Sequence, residues 1–215
     1  AGWRNRLLDN QLAVSLEKDD YETAQIVISR QLEAAPANPE LIHRFALIRD
    51  AQSFSDEASV LMEQLLQRRH LPAAKWLLQN RLLGEKWTDF DDQELERAVA
   101  ILGLITESEP QNVSAKRMFT EYLIFRKRFE SAIPLLIELS ESDPMLGLQA
   151  AAFARQRGDS GAAESYALRS LERVEQMQRD DPQNAYLAMS VARNQVFLDR
   201  HGDAIKTLRR SVKVA

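Results

Sequence analysis

The chain has 215 residues, 45% of them hydrophobic and 28% charged, with a formal net charge of -4 and no cysteine. This balance excludes intrinsic disorder, and the lack of thiols excludes disulfides, thiolate catalysis and cysteine-based zinc sites. The acidic excess is the opposite of a nucleic-acid binder's basic footprint, and the longest apolar run, Ala98 to Ile105, falls far short of the roughly 20 residues of a membrane span.

In chain order, Leu8, Leu12 and Leu16 recur at every fourth position and predict a first helix. Asp19 and Asp20 interrupt it, and Asp20 is placed to cap a second helix with the stripe Ala24, Ile28, Leu32. Pro36 closes this pair, because proline cannot continue a helical hydrogen-bond ladder. The next stretch, 39–72, predicts another pair, with His43, Arg44 and Ala46 on the first helix and Ala58 and Met62 on the second. Residues 73–112 differ, since about six extra residues in the string GEKWTDFDD separate the two helices. There Asp89 is expected as an N-cap, with Asp91, Asp92 and Glu94 complementing the helix dipole; weak calcium binding is the competing reading. Trp87 and Phe90 in the same insertion are expected to plug the repeat core, with an exposed contact patch as the competing reading. Residues 113–144 place Arg117, Thr120 and Glu121 on one helix and Phe129, Ala132, Leu136 and Leu139 on the next. In 145–184, Gln149 and Ala151 precede Ala163 and a longer helix running towards Met177. Tyr186, Ala192 and Arg193, then Ala204 and Leu208, make the last pair in 185–215.

Two series of different chemistry share one period. Pro36, Pro72, Pro110, Pro144 and Pro182 are 36, 38, 34 and 38 residues apart. Ala24, Ala58, Ala98, Ala132, Ala163 and Ala204 average 36. With small residues at Ala46, Thr120, Ala151 and Ala192, and apolar ones at Ile28, Met62, Leu102, Leu136, Ala167 and Leu208, the pattern resembles the tetratricopeptide repeat family. Small residues suit positions where two helix backbones cross closely. Leu12 and Asn80 depart from the small position. Pentatricopeptide repeats share the period but fit the acidic balance poorly, and HEAT-type pairs stay open as a neighbouring class.

The resemblance implies an all-α chain: one solenoid over 1–215 of about six antiparallel helix pairs (5–38, 39–72, 73–112, 113–144, 145–184, 185–215) wound into a right-handed superhelix. It implies a scaffold with no cofactor, whose first helices line a concave groove holding a peptide or helix of a protein partner. Arg6, Asp9, His43, Arg44, Arg117, Glu121, Gln149, Tyr186 and Arg193 are the groove candidates, led by Arg117, Tyr186 and Arg193 because Tyr and Arg are frequent interface anchors. Asp9 and Ala13 stand where the chaperone-binding subclass carries its carboxylate clamp.

No serine-hydrolase elbow, phosphate-binding glycine loop, His-Glu-x-x-His or EF-hand string occurs, so neither catalysis nor a metal is expected. His43, His70 and His201 are expected as solvated surface residues. Asn112-Val113-Ser114 fits a glycosylation pattern but is better placed as a junction cap. Charge is polarised: net -6 from Glu85 to Glu109, and net +4 from Arg193 onward. The last helix ends without a following repeat to cover Ile205, Leu208 and Val212, which suggests either a longer natural protein or homo-oligomeric assembly through that surface. The initial Ala1 agrees with a processed or excised chain, and the compartment is left open.

Overall fold

Most of the expected apolar positions turn inward, but Leu16 of the first stripe stays 39% exposed, and Leu32 and Leu208 are only half-buried. A computed structural model describes the backbone of residues 2–214 and the side chains of 3 and 6–212; Ala1 and the side chain of Lys213, used in the expectations above, lie outside the described residues. Two compact units result, 1–112 and 113–215, divided between the third and fourth expected repeats. The first holds α1 (Gly2–Glu17), α2 (Tyr21–Ala34), α3 (Pro39–Ala51), α4 (Ser55–Gln67), α5 (Leu71–Leu77) and α6 (Asp92–Ser108). The second holds α7 (Val113–Phe125), α8 (Phe129–Leu139), α9 (Met145–Gln156), α10 (Ser160–Asp180), α11 (Ala185–Phe197) and α12 (His201–Val214). No strand occurs among the described residues. Within each unit every helix packs on the next in the chain, giving three tandem hairpins per unit. No helix of the described residues is long and apolar enough to cross a membrane.

Five hairpins turn in the same way. The backbone N–H of Asp20 donates to the Ser15 carbonyl (2.9 Å), Phe54 to Arg49 (2.9 Å), Arg128 to Leu123 (2.8 Å), Asp159 to Ala154 (3.0 Å) and Arg200 to Gln195 (2.8 Å). The residue before each donor is left-handed: Asp19, Ser53, Lys127, Gly158 and Asp199, with φ between 55° and 84°. This six-to-one closure satisfies carbonyls that the helix end would orphan and reverses the chain within a few residues. The next helix is then capped where a suitable side chain follows, as where Asp20 accepts from Thr23 N–H (3.1 Å) and Asp159 from Ala162 N–H (2.9 Å).

The alanine series forms the contact layer: Ala24, Ala58, Ala98, Ala132, Ala163 and Ala204 are at most 3% exposed. Ile28, Met62, Leu102, Leu136 and Ala167, one turn later, are equally covered. Leu12, too large for the small position, is buried nevertheless. The prolines are less uniform. α4 ends at Gln67, so Pro72 opens α5 instead of closing the second pair, as suits a residue with no N–H to donate.

The third hairpin breaks the rule. A π-helical turn, Leu78–Leu82, continues α5; Gly84 follows with φ 91°, and a 3-10 turn, Trp87–Asp89, leads to α6. Asp91, and not Asp89 as expected, caps α6: its carboxylate accepts from Glu94 N–H (2.8 Å), while Glu94 accepts from Asp91 N–H (2.8 Å). Asp91 and Glu94 thus form a reciprocal capping box, while Asp89 accepts from Thr88 Oγ1 (3.1 Å). Asn80 is exposed and donates to the Trp76 carbonyl (2.8 Å), so it makes no small-residue crossing. Trp87 and Phe90 meet edge to face at 5.7 Å, but both stay half-buried, short of the expected plug.

Candidate functional site

In the second unit α11 is covered on most of its circumference, with Leu187, Ala188, Ser190, Val191, Ala192, Asn194 and Gln195 buried. What is left open is one stripe at helical spacing: Tyr186 (64% exposed), Met189 (45%), Arg193 and Val196 (49%). Asn184 accepts from the N–H groups of Tyr186 (3.1 Å) and Leu187 (3.2 Å), fixing where the stripe begins. On α7, Arg117 is half-buried and its guanidinium lies 3.5 Å from Asp143, while Glu121, one turn on, is exposed. Gln149 on α9 is half-buried. An ion pair this long and this open contributes little to stability, so Arg117 can exchange Asp143 for another carboxylate.

The other four candidates belong to the first unit. Arg6 is exposed on α1, and Asp9 accepts from Gln31 Nε2 (2.9 Å), joining α1 to α2. Arg44 is exposed on α3. His43 is half-buried, its ring centroid 5.1 Å from that of His70. His70 is not the solvated residue expected. Only 9% of its side chain is exposed; its Nδ1 accepts from Ala73 N–H (3.3 Å) to cap α5, and its Nε2 lies 3.2 Å from Glu40. Burial, and secondarily His70, hold the His43 pKa below its ordinary value. His201, by contrast, is exposed.

The expected assembly surface lies on α12, where Ile205 (52%) and Val212 (79%) are exposed and Leu208 is half-buried. Met189 and Val196 were missed by the sequence reading, although they lie three and ten residues after Tyr186 on one face. That spacing was visible, but in a helix so rich in apolar residues it reads as core.

No protein-family model matches the sequence, and no curated protein matches it. Solved structures do. A tetratricopeptide repeat protein from Parabacteroides merdae is similar at 14% identity, with 98% of this chain and 79% of that one covered and a TM-score of 0.44. MamA from Desulfovibrio magneticus is similar at 13% identity, covering 97% and 93%, with a TM-score of 0.32. Another MamA structure has 11% identity, coverage of 93% and 91%, and a TM-score of 0.36.

Proposed function

We propose that the chain is a binding scaffold, not a catalyst, and that the open faces of α7, α9 and α11 receive an extended or helical segment of a protein partner. The observation that carries this reading is the α11 stripe. A helix buried nearly all round keeps an aromatic, a flexible thioether, a cation and a branched aliphatic side chain exposed in one line. Tyr and Arg concentrate binding energy at interfaces, and methionine adapts to varied apolar partners. The complementary segment carries apolar residues for Tyr186, Met189 and Val196 and an acid opposite Arg193. Such recognition works through shape and charge complementarity.

The test is display of a random peptide library against the whole chain, followed by calorimetry on the enriched sequence. Tyr186→Ala and Arg193→Glu should each weaken the enriched peptide about tenfold or more. Failure to enrich any peptide, or affinities untouched by both changes, would refute the assignment.

A second reading rests on Ile205 and Val212, whose exposure on the last helix suits self-association. Sedimentation velocity over a wide concentration range decides it. A monomer throughout removes this reading, whereas association that Val212→Glu abolishes supports it.

A further inference from the structure

The irregular third hairpin opens a cavity of about 470 Å³ within the first unit. Its apolar lining residues are Leu66 of α4, Leu77 of α5, Leu82 of the π turn, Phe90 of the connection and Ile101 of α6. Its walls carry four carboxylates, Glu63, Glu85, Asp89 and Glu94, against two guanidiniums, Arg81 and Arg97. Both guanidiniums are already engaged. Arg97 lies 3.3 Å from Glu63, while Arg81 donates to Ser59 Oγ (2.6 Å) and lies 3.3 Å from Asp56, outside the cavity. Among the described residues Glu85, Asp89 and Glu94 form no ion pair with either guanidinium, although Glu94 accepts from Asp91 N–H (2.8 Å) and Asp89 from Thr88 Oγ1 (3.1 Å).

A ligand for this site combines an apolar body with a cationic head. A volume of roughly 300–1,000 Å³ is usual for a binding site, and here more of the lining residues are polar or charged than apolar, which suits a ligand that is charged at one end. An arginine side chain has that composition. Its methylene stem lies along apolar surface while the planar head reaches charge, forks to a carboxylate through two parallel hydrogen bonds, and stacks on an aromatic face. Leu66 and Leu82 suit the stem, Phe90 the stacking, and Glu85 and Asp89 the fork. We infer that this cavity anchors an arginine side chain of a polypeptide partner. The site lies in the first unit and is independent of the α7, α9 and α11 reading.

The test uses the whole chain, isotope-labelled, and amide chemical shifts read during titration with the blocked tripeptide Leu-Arg-Leu. Shifts should concentrate between residues 80 and 97. The same tripeptide with neutral, isosteric citrulline in place of arginine should bind about tenfold more weakly, as the loss of a charge-assisted hydrogen bond requires. Glu85→Gln combined with Asp89→Asn, two exposed changes that should leave the circular dichroism and melting of the chain intact, should weaken the arginine peptide about fivefold and reduce its salt sensitivity. The inference falls if those amides do not move, if citrulline binds equally well, or if the double variant binds unchanged. Ethylguanidine binding as tightly as the peptide would make the cavity a site for free guanidines and overturn the polypeptide assignment. Shifts confined to α7, α9 and α11 would support the other surface and overturn this one.

Discussion

The third hairpin and the other five solve the same problem differently. In the five, a left-handed residue and a six-to-one hydrogen bond end one helix, and the next begins almost at once. In the third, the six-to-one bond, from Leu83 N–H to the Leu78 carbonyl (3.0 Å), ends a π turn ahead of the left-handed Gly84, and a connection running to Asp91 delays the next helix. The regular hairpins spend their inner faces on neighbouring helices. The irregular one leaves a cavity lined by both apolar and charged side chains. A tandem array can thus gain a specific pocket by breaking its own repeat once, without altering the packing of the hairpins that obey it.

The largest effect that tests this contrast is a cavity-forming change in each region. Leu136, 1% exposed in the core of the fourth hairpin, should cost about 3 kcal/mol when replaced by alanine, because the void is sealed. Leu82→Ala, at a residue that already faces the open cavity, should cost about 1–2 kcal/mol, since less of a closed void is created. Hydrogen exchange is the measurement of choice because it reads each unit separately. Equal costs at the two sites would break the distinction. Glycine substitution sharpens it next. A Cβ on Gly147 of α9 would stand 3.1 Å from the Ser170 Cβ of α10, and Ser170 is held by its buried hydrogen bond to the Pro144 carbonyl (2.8 Å), so Gly147→Ala should cost about 1 kcal/mol, overpacking outweighing the gain in helix propensity. Gly84 has open space around it but a φ of 91°, so Gly84→Ala should cost about 1 kcal/mol through backbone strain alone, and Gly84→Asn less.

Legibility in the sequence followed the same division. The alanine series was readable because a residue that must be small at a close crossing is both periodic and buried, and all six positions proved so. Pro72 misled because proline serves a helix start as well as a helix end. The closing turns carried no sequence flag: Asp19, Ser53, Lys127 and Asp199 adopt positive φ without glycine, leaving only Gly158 recognisable. The choice between Asp89 and Asp91 as cap was available in principle, since only Asp91 has a glutamate three residues later. The π turn and the near-complete covering of His70 were not legible, because each depends on a neighbouring hairpin and not on local spacing. Among the candidate residues, the first-helix assignment of all nine was readable from periodicity, whereas the use of Asp9 by Gln31 depends on packing between helices.

The entry to the irregular hairpin gives a pH handle. His43 of α3 packs on His70 at the start of α5, with Glu40 and Arg44 nearby, and burial lowers the His43 pKa below 6.5. Below about pH 6.5 the unfolded chain therefore binds more protons than the folded one at this position. The contribution of His43 to stability is fully present above that pH and is lost as pH falls through 6.5 towards the lower folded value. Exchange rates in α3 and α5 should rise as pH is lowered from about 7.5 to 5, after correction for intrinsic exchange, and His43→Gln should remove this part of the dependence. Constant protection across that range would mean that the entry is insensitive to charge on His43.

The smallest effect probes the equivalence of the regular turns. Lys127 holds φ 56° where the fifth hairpin has Gly158 at 84°. A side chain in this region strains the backbone by roughly 1–2 kcal/mol, and glycine removes that strain while giving the unfolded chain more freedom, a cost of about 0.4–1 kcal/mol. Lys127→Gly should therefore stabilise its hairpin by about 0.5 kcal/mol, and Gly158→Lys should destabilise its own by slightly more, both read as shifts in urea midpoint with unchanged slope. If the two exchanges moved stability in the same direction, the turns would differ in more than the residue they carry, and the contrast with the third hairpin would be one of degree instead of kind.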